Sequence, residues 1–258
     1  MIRKTISTIL NLLVNNYFLV KLRLNRLKNI DFYSLDFLNL SFEDYEELKK
    51  IIYSKIYFNK KISDEKSINY HSFAWLHVAK KIGGAKMISL SKKHIFNWHE
   101  KKYNSFSLSW DELTISKRLI NLIYNFDFYA TSANENEKNI IKFIILKNYL
   151  VLKLKTKFLK NKNEQPIEIY KCLLLLNLIN NFNTEKILNQ ISNQIKKQVN
   201  DLGLHKSTSP SFQAEFINEL YEIKNICLYF KISVPKIIEY QITNMASVLK
   251  NLFHKDNT

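Results

Sequence analysis

The stretch DLGLHKSTSPSFQAEF, residues 201–216, gathers side chains that can do chemistry. His205 stands two residues after Gly203 and two before Ser207, with Ser209 and Pro210 following. An imidazole in such a loop can project into a cleft and titrate near neutrality. The plainer role for the same residue is to brace or cap the helix that begins near Pro210. Gly203 suits a left-handed residue ending the preceding helix. Ser207 and Ser209 suit caps for the next one. Gly203, Ser207 and Pro210 therefore read as a structural turn that carries His205.

Elsewhere the reactive residue types are sparse. His71 and His77 are six apart, and His94 and His99 five apart, whereas two ligands on one helical face need a spacing of three or four. No metal site is expected, and no cofactor. Cys172 and Cys227 form no paired motif and read as small buried hydrophobes, with a disulfide neither supported nor excluded. Trp75, Trp98 and Trp110 each lie amid helical apolar patterning, so they suit core anchors, although aromatic faces also stack on sugar rings. Arg118 is one of few arginines. It suits either a bidentate clamp on a ligand carboxylate or an ion pair with Asp111 or Glu112.

The elements that must position these residues are helices. Glycine and proline total six in 258 residues, too few for the turns of an all-β fold. Helical patterns recur instead, among them NYHSFAWLHVAKKIGG, ending at Gly83 and Gly84, and SWDELTISKRLINLIYNF, with Ser109 or Asp111 near its cap. SANENEKNIIKFIILKNYLVLKLKTKFL starts near Ser132. QPIEIYKCLLLLNLINNF carries Pro166 in its first turn, and NTEKILNQISNQIKKQVND precedes the loop of His205. Ten or so helices in antiparallel hairpins predict an all-α fold. A polar stretch, NKKISDEKS, separates an N-terminal helical extension, residues 1–65, from a helical domain over 66–258.

The formal charge of +16 is spread along the chain, as lysine far more than arginine. No arginine cluster, stacking motif or recognition helix accompanies it, so nucleic acid is not the expected partner. An acidic polysaccharide fits the sign of the charge. The first 28 residues have early positive charge but no small-x-small cleavage site, and Asn15 and Asn16 interrupt their apolar run. They suit an amphipathic core helix or a membrane-surface helix. No transmembrane segment and no clear signal peptide is expected.

Three segments together resemble the N-terminal helical domain of heparinase II/III-like polysaccharide lyases, in the branch common in alphaproteobacteria. HSFAWLHVAKKIGG (71–84), with Trp98, Trp110 and KRLINLI (117–123), is similar to that branch's H-S-F-x-W-L helix and its later W…R-L. The 201–216 stretch resembles its D-G-G-H-x-S-R-N-P turn, with Gly203, His205, Ser207, Pro210, Gln213, Glu215, Glu219 and Leu220 in register. MASVLKNLFHKDN (245–257) is similar to M-x-P-M-L-R-F-F-R-H-G-D-G through Met245, Leu249, Lys250, His254 and Asp256. Thr208 and Ser209 depart from the turn's Arg and Asn.

That resemblance implies an incomplete (α/α) toroid of antiparallel hairpins, followed in the family by an antiparallel β-sandwich that is absent here. The substrate would be an acidic glycan cleaved by β-elimination. His205 would be catalytic, as base or as the group that neutralises the substrate carboxylate. Trp75, Arg118, His71 and His254 would line the substrate site. Thr258 falls about where the second domain would begin, so the chain reads as truncated, or as one completed by a separate β-sandwich domain or chain, and inactive or crippled alone. Other branches place an acid/base tyrosine just after the Ser-Pro pair, where this sequence has Phe212. That departure favours the alternative, a non-catalytic helical module binding anionic glycan or a partner chain. The resemblance suggests a cell-envelope setting, the bare sequence a cytoplasmic one.

Overall fold

The computed structural model describes residues 42–54, 68–101, 103, 107–158 and 165–252, and packing divides the chain into two compact units, Met1–Leu159 and Lys160–Thr258. The expected N-terminal helix, the polar stretch before residue 66 and His254 lie outside the described residues. Among the described residues the fold is all-α, and no helix is long and apolar enough to cross a membrane.

The first unit contains α1 (Phe42–Tyr53), α2 (Ile68–His71), α3 (Trp75–Ile82), α4 (Gly84–Glu100), a 3-10 turn (Leu108–Trp110), α5 (Glu112–Tyr124), α6 (Phe126–Ala130) and α7 (Glu135–Phe158). In α1 the apolar residues Leu48, Ile51 and Ile52 recur at helical spacing and are buried. The His94 ring of α4 ties to that helix, with Nε2 3.0 Å from the Ile52 carbonyl oxygen.

Local chemistry sets the helix ends, not always where the pattern places them. The helix expected across residues 69–84 breaks in two, because Phe73 takes a left-handed φ of 58°. Its ring is fully buried against Trp75 and Trp98, and that packing offsets the backbone strain. Asp111, not Ser109, caps α5, its carboxylate accepting from the backbone of Leu113 and Thr114. The start of α7 is fixed by Asn134 and Glu137, which exchange reciprocal bonds of 2.9 and 3.0 Å, not by Ser132.

The centre of this unit is a buried guanidinium. Arg118 is 0 % exposed, and no carboxylate pairs with it among the described residues, so the expected partnership with Asp111 or Glu112 is not formed. Neutral groups replace it. Nε and one terminal nitrogen donate to Asn148 Oδ1 at 2.9 and 2.6 Å, and the other donates to the carbonyls of His71 and Ser109 at 2.7 and 2.9 Å. Its carbon lies 4.2 Å from the Trp98 ring centre and 5.2 Å from that of Trp110, where the π faces attract a cation. Burial lowers its pKa to about 9, so it stays charged at neutral pH.

The second unit is four helices: α8 (Ile167–Ile179), α9 (Glu185–Gln198), α10 (Pro210–Tyr229) and α11 (Lys236–Leu252). Short turns join α8 to α9 and α10 to α11, so each pair is an antiparallel hairpin, and α8 also packs on α10. The two turns share one device. Asn181 and Lys231 adopt left-handed φ values of 54° and 55°, and the next residue donates back five positions, Phe182 to Asn177 and Ile232 to Cys227. The 199–209 loop joins α9 to α10 at the opposite end.

Removing the central cation should strand its acceptors. Arg118→Met is expected to destabilise the chain by about 3–5 kcal/mol in urea unfolding, and Arg118→Lys to recover little, since an ammonium lacks the planar fork. A loss under 1 kcal/mol in either would contradict this role.

The histidines of α4 make the first unit acid-sensitive. Burial, with the nearby Lys147, pushes His99 down to about 4, and burial lowers His94 against the opposing pull of Ile52. A depressed histidine pKa adds stability that is fully present above about 6.5 and is lost as the pH falls from there toward the folded value. His99→Phe should therefore make the fall in urea midpoint between about pH 6.5 and 4 shallower than in the unmodified chain, by removing the His99 contribution.

Candidate functional site

The loop that carries His205 is a small hairpin with its own internal bonds. Val199 and His205 form an isolated antiparallel bridge, and Lys206 N–H donates to the Gln198 carbonyl at 2.9 Å. The turn closes through Asn200. Its side-chain oxygen accepts from Leu202 and Leu204 N–H at 3.0 and 2.9 Å, and its carbonyl accepts from Gly203 N–H at 3.0 Å. Gly203 meets two demands at once. Its φ is +81°, and a Cβ there would lie 3.0 Å from the Asn244 carbonyl carbon and Cβ on α11.

Gln213 fixes this loop to the helices. Its side chain is fully buried, one turn into α10. The amide nitrogen donates to the carbonyls of Gly203 and Met245 at 2.7 and 3.1 Å, and the amide oxygen accepts from His205 N–H at 2.8 Å. One side chain thus joins the hairpin, α10 and α11. Sequence reading placed Gln213 in the motif but gave it no role, because its burial and its partners are settled only by folding.

The half-buried imidazole of His205 packs on two phenylalanines. Phe212 lies parallel at 6.3 Å, with planes 9° apart, and Phe216 lies at 5.1 Å. Nδ1 sits 2.8 Å from Ser207 Oγ and accepts from Ser207 N–H at 3.2 Å. The expected capping by serine hydroxyls is not what forms. Ser209 occupies the N-cap position of α10 without a side-chain cap bond, its hydroxyl 2.9 Å from that of Ser211, while Ser207 serves the histidine. Pro210 opens α10, where its missing N–H leaves no bond unmade.

The other sequence candidates are elsewhere. In the first unit His71, Trp75 and Arg118 are 1 %, 0 % and 0 % exposed. Trp75 donates to the Tyr70 carbonyl at 3.3 Å, and His71 Nδ1 accepts from the Trp98 indole at 2.9 Å. The structure brings His71 and Arg118 into direct contact, but their polar groups face one another and the chain, not solvent. The expected sugar contacts are thus not open at these side chains, because closing the core around Arg118 uses them.

A buried charge cluster in the second unit was not anticipated. Lys171 of α8 pairs with Glu219 at 2.7 Å and Glu222 at 2.6 Å, both on α10. Burial pushes Glu219 up to about 7; Lys171 opposes the rise, and Glu168 and Glu222 add to it. Burial pulls the lysine pKa down, but two carboxylates facing one ammonium outweigh it and the net direction is up. A groove of ≈ 690 Å³ opens at the other end of the unit, between the turns bearing Phe182 and Ile232, and His205 does not line it.

No family model matches this chain, and no curated protein matches it in sequence. Solved structures do. The chain is similar in fold to the heparan sulfate lyase HepC from Pedobacter heparinus, with a TM-score of 0.54 and 15 % identity over 93 % of this chain and 44 % of that one. A HepC mutant gives a TM-score of 0.58 at 15 % identity, over 95 % and 45 % of the two chains. The chain therefore spans less than half the length of these lyase chains. At this identity the likeness is one of fold.

The double demand on Gly203 is separable by comparison with Gly84, whose φ is +82° but whose Cβ would meet open space. Both Gly→Ala changes should cost about 1–2 kcal/mol for the left-handed backbone. Gly203→Ala should cost more than Gly84→Ala, because it also pushes α11 away. Equal urea midpoints for the two variants would remove the close approach from the account.

Proposed function

We propose that this chain is the helical part of a polysaccharide lyase-like protein that takes an acidic glycan, with His205 at the glycan site. Its hairpins would then form part of an incomplete (α/α) toroid. The observation that carries this reading is the fold likeness to a heparan sulfate lyase, joined to a loop imidazole held by a buried amide at a helix junction. The charge of +16 supports an anionic ligand.

The reaction of that class has three parts. Negative charge building on the uronate carboxylate must be neutralised, because C5–H is otherwise a poor acid. A base takes the C5 proton, its electron pair forms the C4–C5 double bond, and the C4–O bond breaks as an acid protonates the leaving oxygen. His205 is the candidate for the first or second task. The remaining tasks fall to a β-sandwich domain or chain.

Phe212 supports a second reading, a glycan-binding module without elimination. It is 55 % exposed beside His205 and offers no hydroxyl where other branches of the resembled family have a tyrosine.

Incubation with heparan sulfate, in the presence of the β-sandwich partner, should raise the absorbance of the unsaturated uronide, and His205→Ala should reduce the rise by about 100-fold or more. Salt-sensitive binding without any absorbance would select the binding module. No binding to any acidic polysaccharide would reject both.

A further inference from the structure

We infer that Lys147, Trp110 and Tyr103, beside Arg118 in the first unit, form a binding site for a small monovalent anion of the size of chloride. The site stands apart from the glycan reading above and does not depend on it.

Two cations flank one indole here. The Arg118 carbon lies 5.2 Å and the Lys147 ammonium 5.4 Å from the Trp110 ring centre. No carboxylate pairs with either among the described residues. Two further polar groups of the same cluster are buried without a partner. The Trp110 indole N–H and the Tyr103 hydroxyl meet no hydrogen-bonding atom, although the two residues are only 2 % and 6 % exposed. Trp98 ties them together: it stacks on Tyr103 at 5.6 Å, lies 5.7 Å from Trp110 and faces Arg118. Arg118 itself uses four of its five N–H groups, which leaves one on Nη2.

The kind of ligand follows from what these groups can do. An ammonium, an indole N–H and a guanidinium N–H can only donate. Burial pushes the Tyr103 pKa up to about 12, so its hydroxyl keeps its proton and can donate too. A buried water needs acceptors for its own hydrogens, and this set is made of donors. An anion accepts from every one of them and offsets the repulsion between Arg118 and Lys147. That repulsion shows at Lys147, whose pKa is pushed down to about 8 by burial and by Arg118. Interiors pack closely, so these buried donors suit an ion near the size of a water molecule rather than a phosphate. Entry falls to Lys147, the half-buried member of the set, on α7.

Crystals of the chain grown in sodium bromide would reveal the ion by its anomalous scattering. The expected peak lies within hydrogen-bond distance of both Trp110 Nε1 and Lys147 Nζ. A water at that place, or bromide only at other places, would overturn the inference.

Chloride titration in solution, with gluconate holding the ionic strength constant, gives a second readout in the urea midpoint. The wild-type midpoint should rise with chloride, in proportion to its logarithm once the site fills. Tyr103→Phe removes one donor and Lys147→Met removes the charge, and each should weaken chloride binding about tenfold or more. Lys153→Met takes a charge from an exposed position on the same helix and should leave the rise unchanged. In gluconate alone, Tyr103→Phe should not lower the midpoint, since the hydroxyl it removes has no protein partner. A marked loss there would overturn the role of that hydroxyl. Equal rises in the wild type and every variant would overturn the site, because screening of surface charge then explains them. Should Lys147→Met not fold, Tyr103→Phe still decides.

Discussion

A primary amide sealed from water must find partners for an oxygen and two N–H groups, and leaving one unmade costs about 1–3 kcal/mol. Gln213 meets that demand with three main-chain groups, those of Gly203, His205 and Met245. Those groups belong to a loop and to α11, neither adjacent to Gln213 in sequence. The position of His205 therefore follows from the hydrogen-bond requirement of a residue that is itself sealed from solvent. Gly203 is the other half of this constraint, since any Cβ there would hold α11 off and pull the Met245 carbonyl from the amide.

The first unit solves a related problem with a full charge. Arg118 lacks a carboxylate among the described residues, yet four hydrogen bonds and two indole faces surround it. Nearby Lys147 lies over the other partner ring, 5.4 Å from the Trp110 centre, and its own pKa is pushed to about 8 by burial and by Arg118. Positive charge here is held by carbonyl dipoles and π faces. The second unit holds its buried lysine with carboxylates instead. The units consequently respond to pH in opposite senses. Depressed histidines weaken the first as acid is added. The raised carboxyl of Glu219 makes the second weaken as the pH climbs through the range between about 4.5 and 7.

The all-α class was legible because it depends on summed properties: scarce Gly and Pro, and apolar residues at helical spacing. Single-residue decisions were less so. The break at Phe73 contradicts backbone preference and exists because a buried aromatic cluster needs the ring there. Asn134 and Ser132 are both good caps in isolation, and only the reciprocal Glu137 selects the first. Arg118 was expected to find an acid near in sequence; it found Asn148, thirty residues on, because helix packing and not chain proximity chooses partners. At the site, the loop, its glycine and its histidine were visible as breaks in a helical pattern. The serine roles and the part of Gln213 were not, since they depend on which atom faces which after folding.

The absence of a hydroxyl at Phe212 bears on which part of an elimination this loop could serve. β-Elimination needs one group that attracts an anion and another that accepts a proton. A phenyl ring accepts no proton, and Phe212 stands beside His205 where other branches of the resembled family have a tyrosine. That departure removes proton-accepting capacity, and the proposed anion binding does not depend on it. On the proposed reading, then, recognition of the acidic sugar resides in this loop. Proton abstraction, wherever elimination occurs, then rests on His205 or on a group outside this loop.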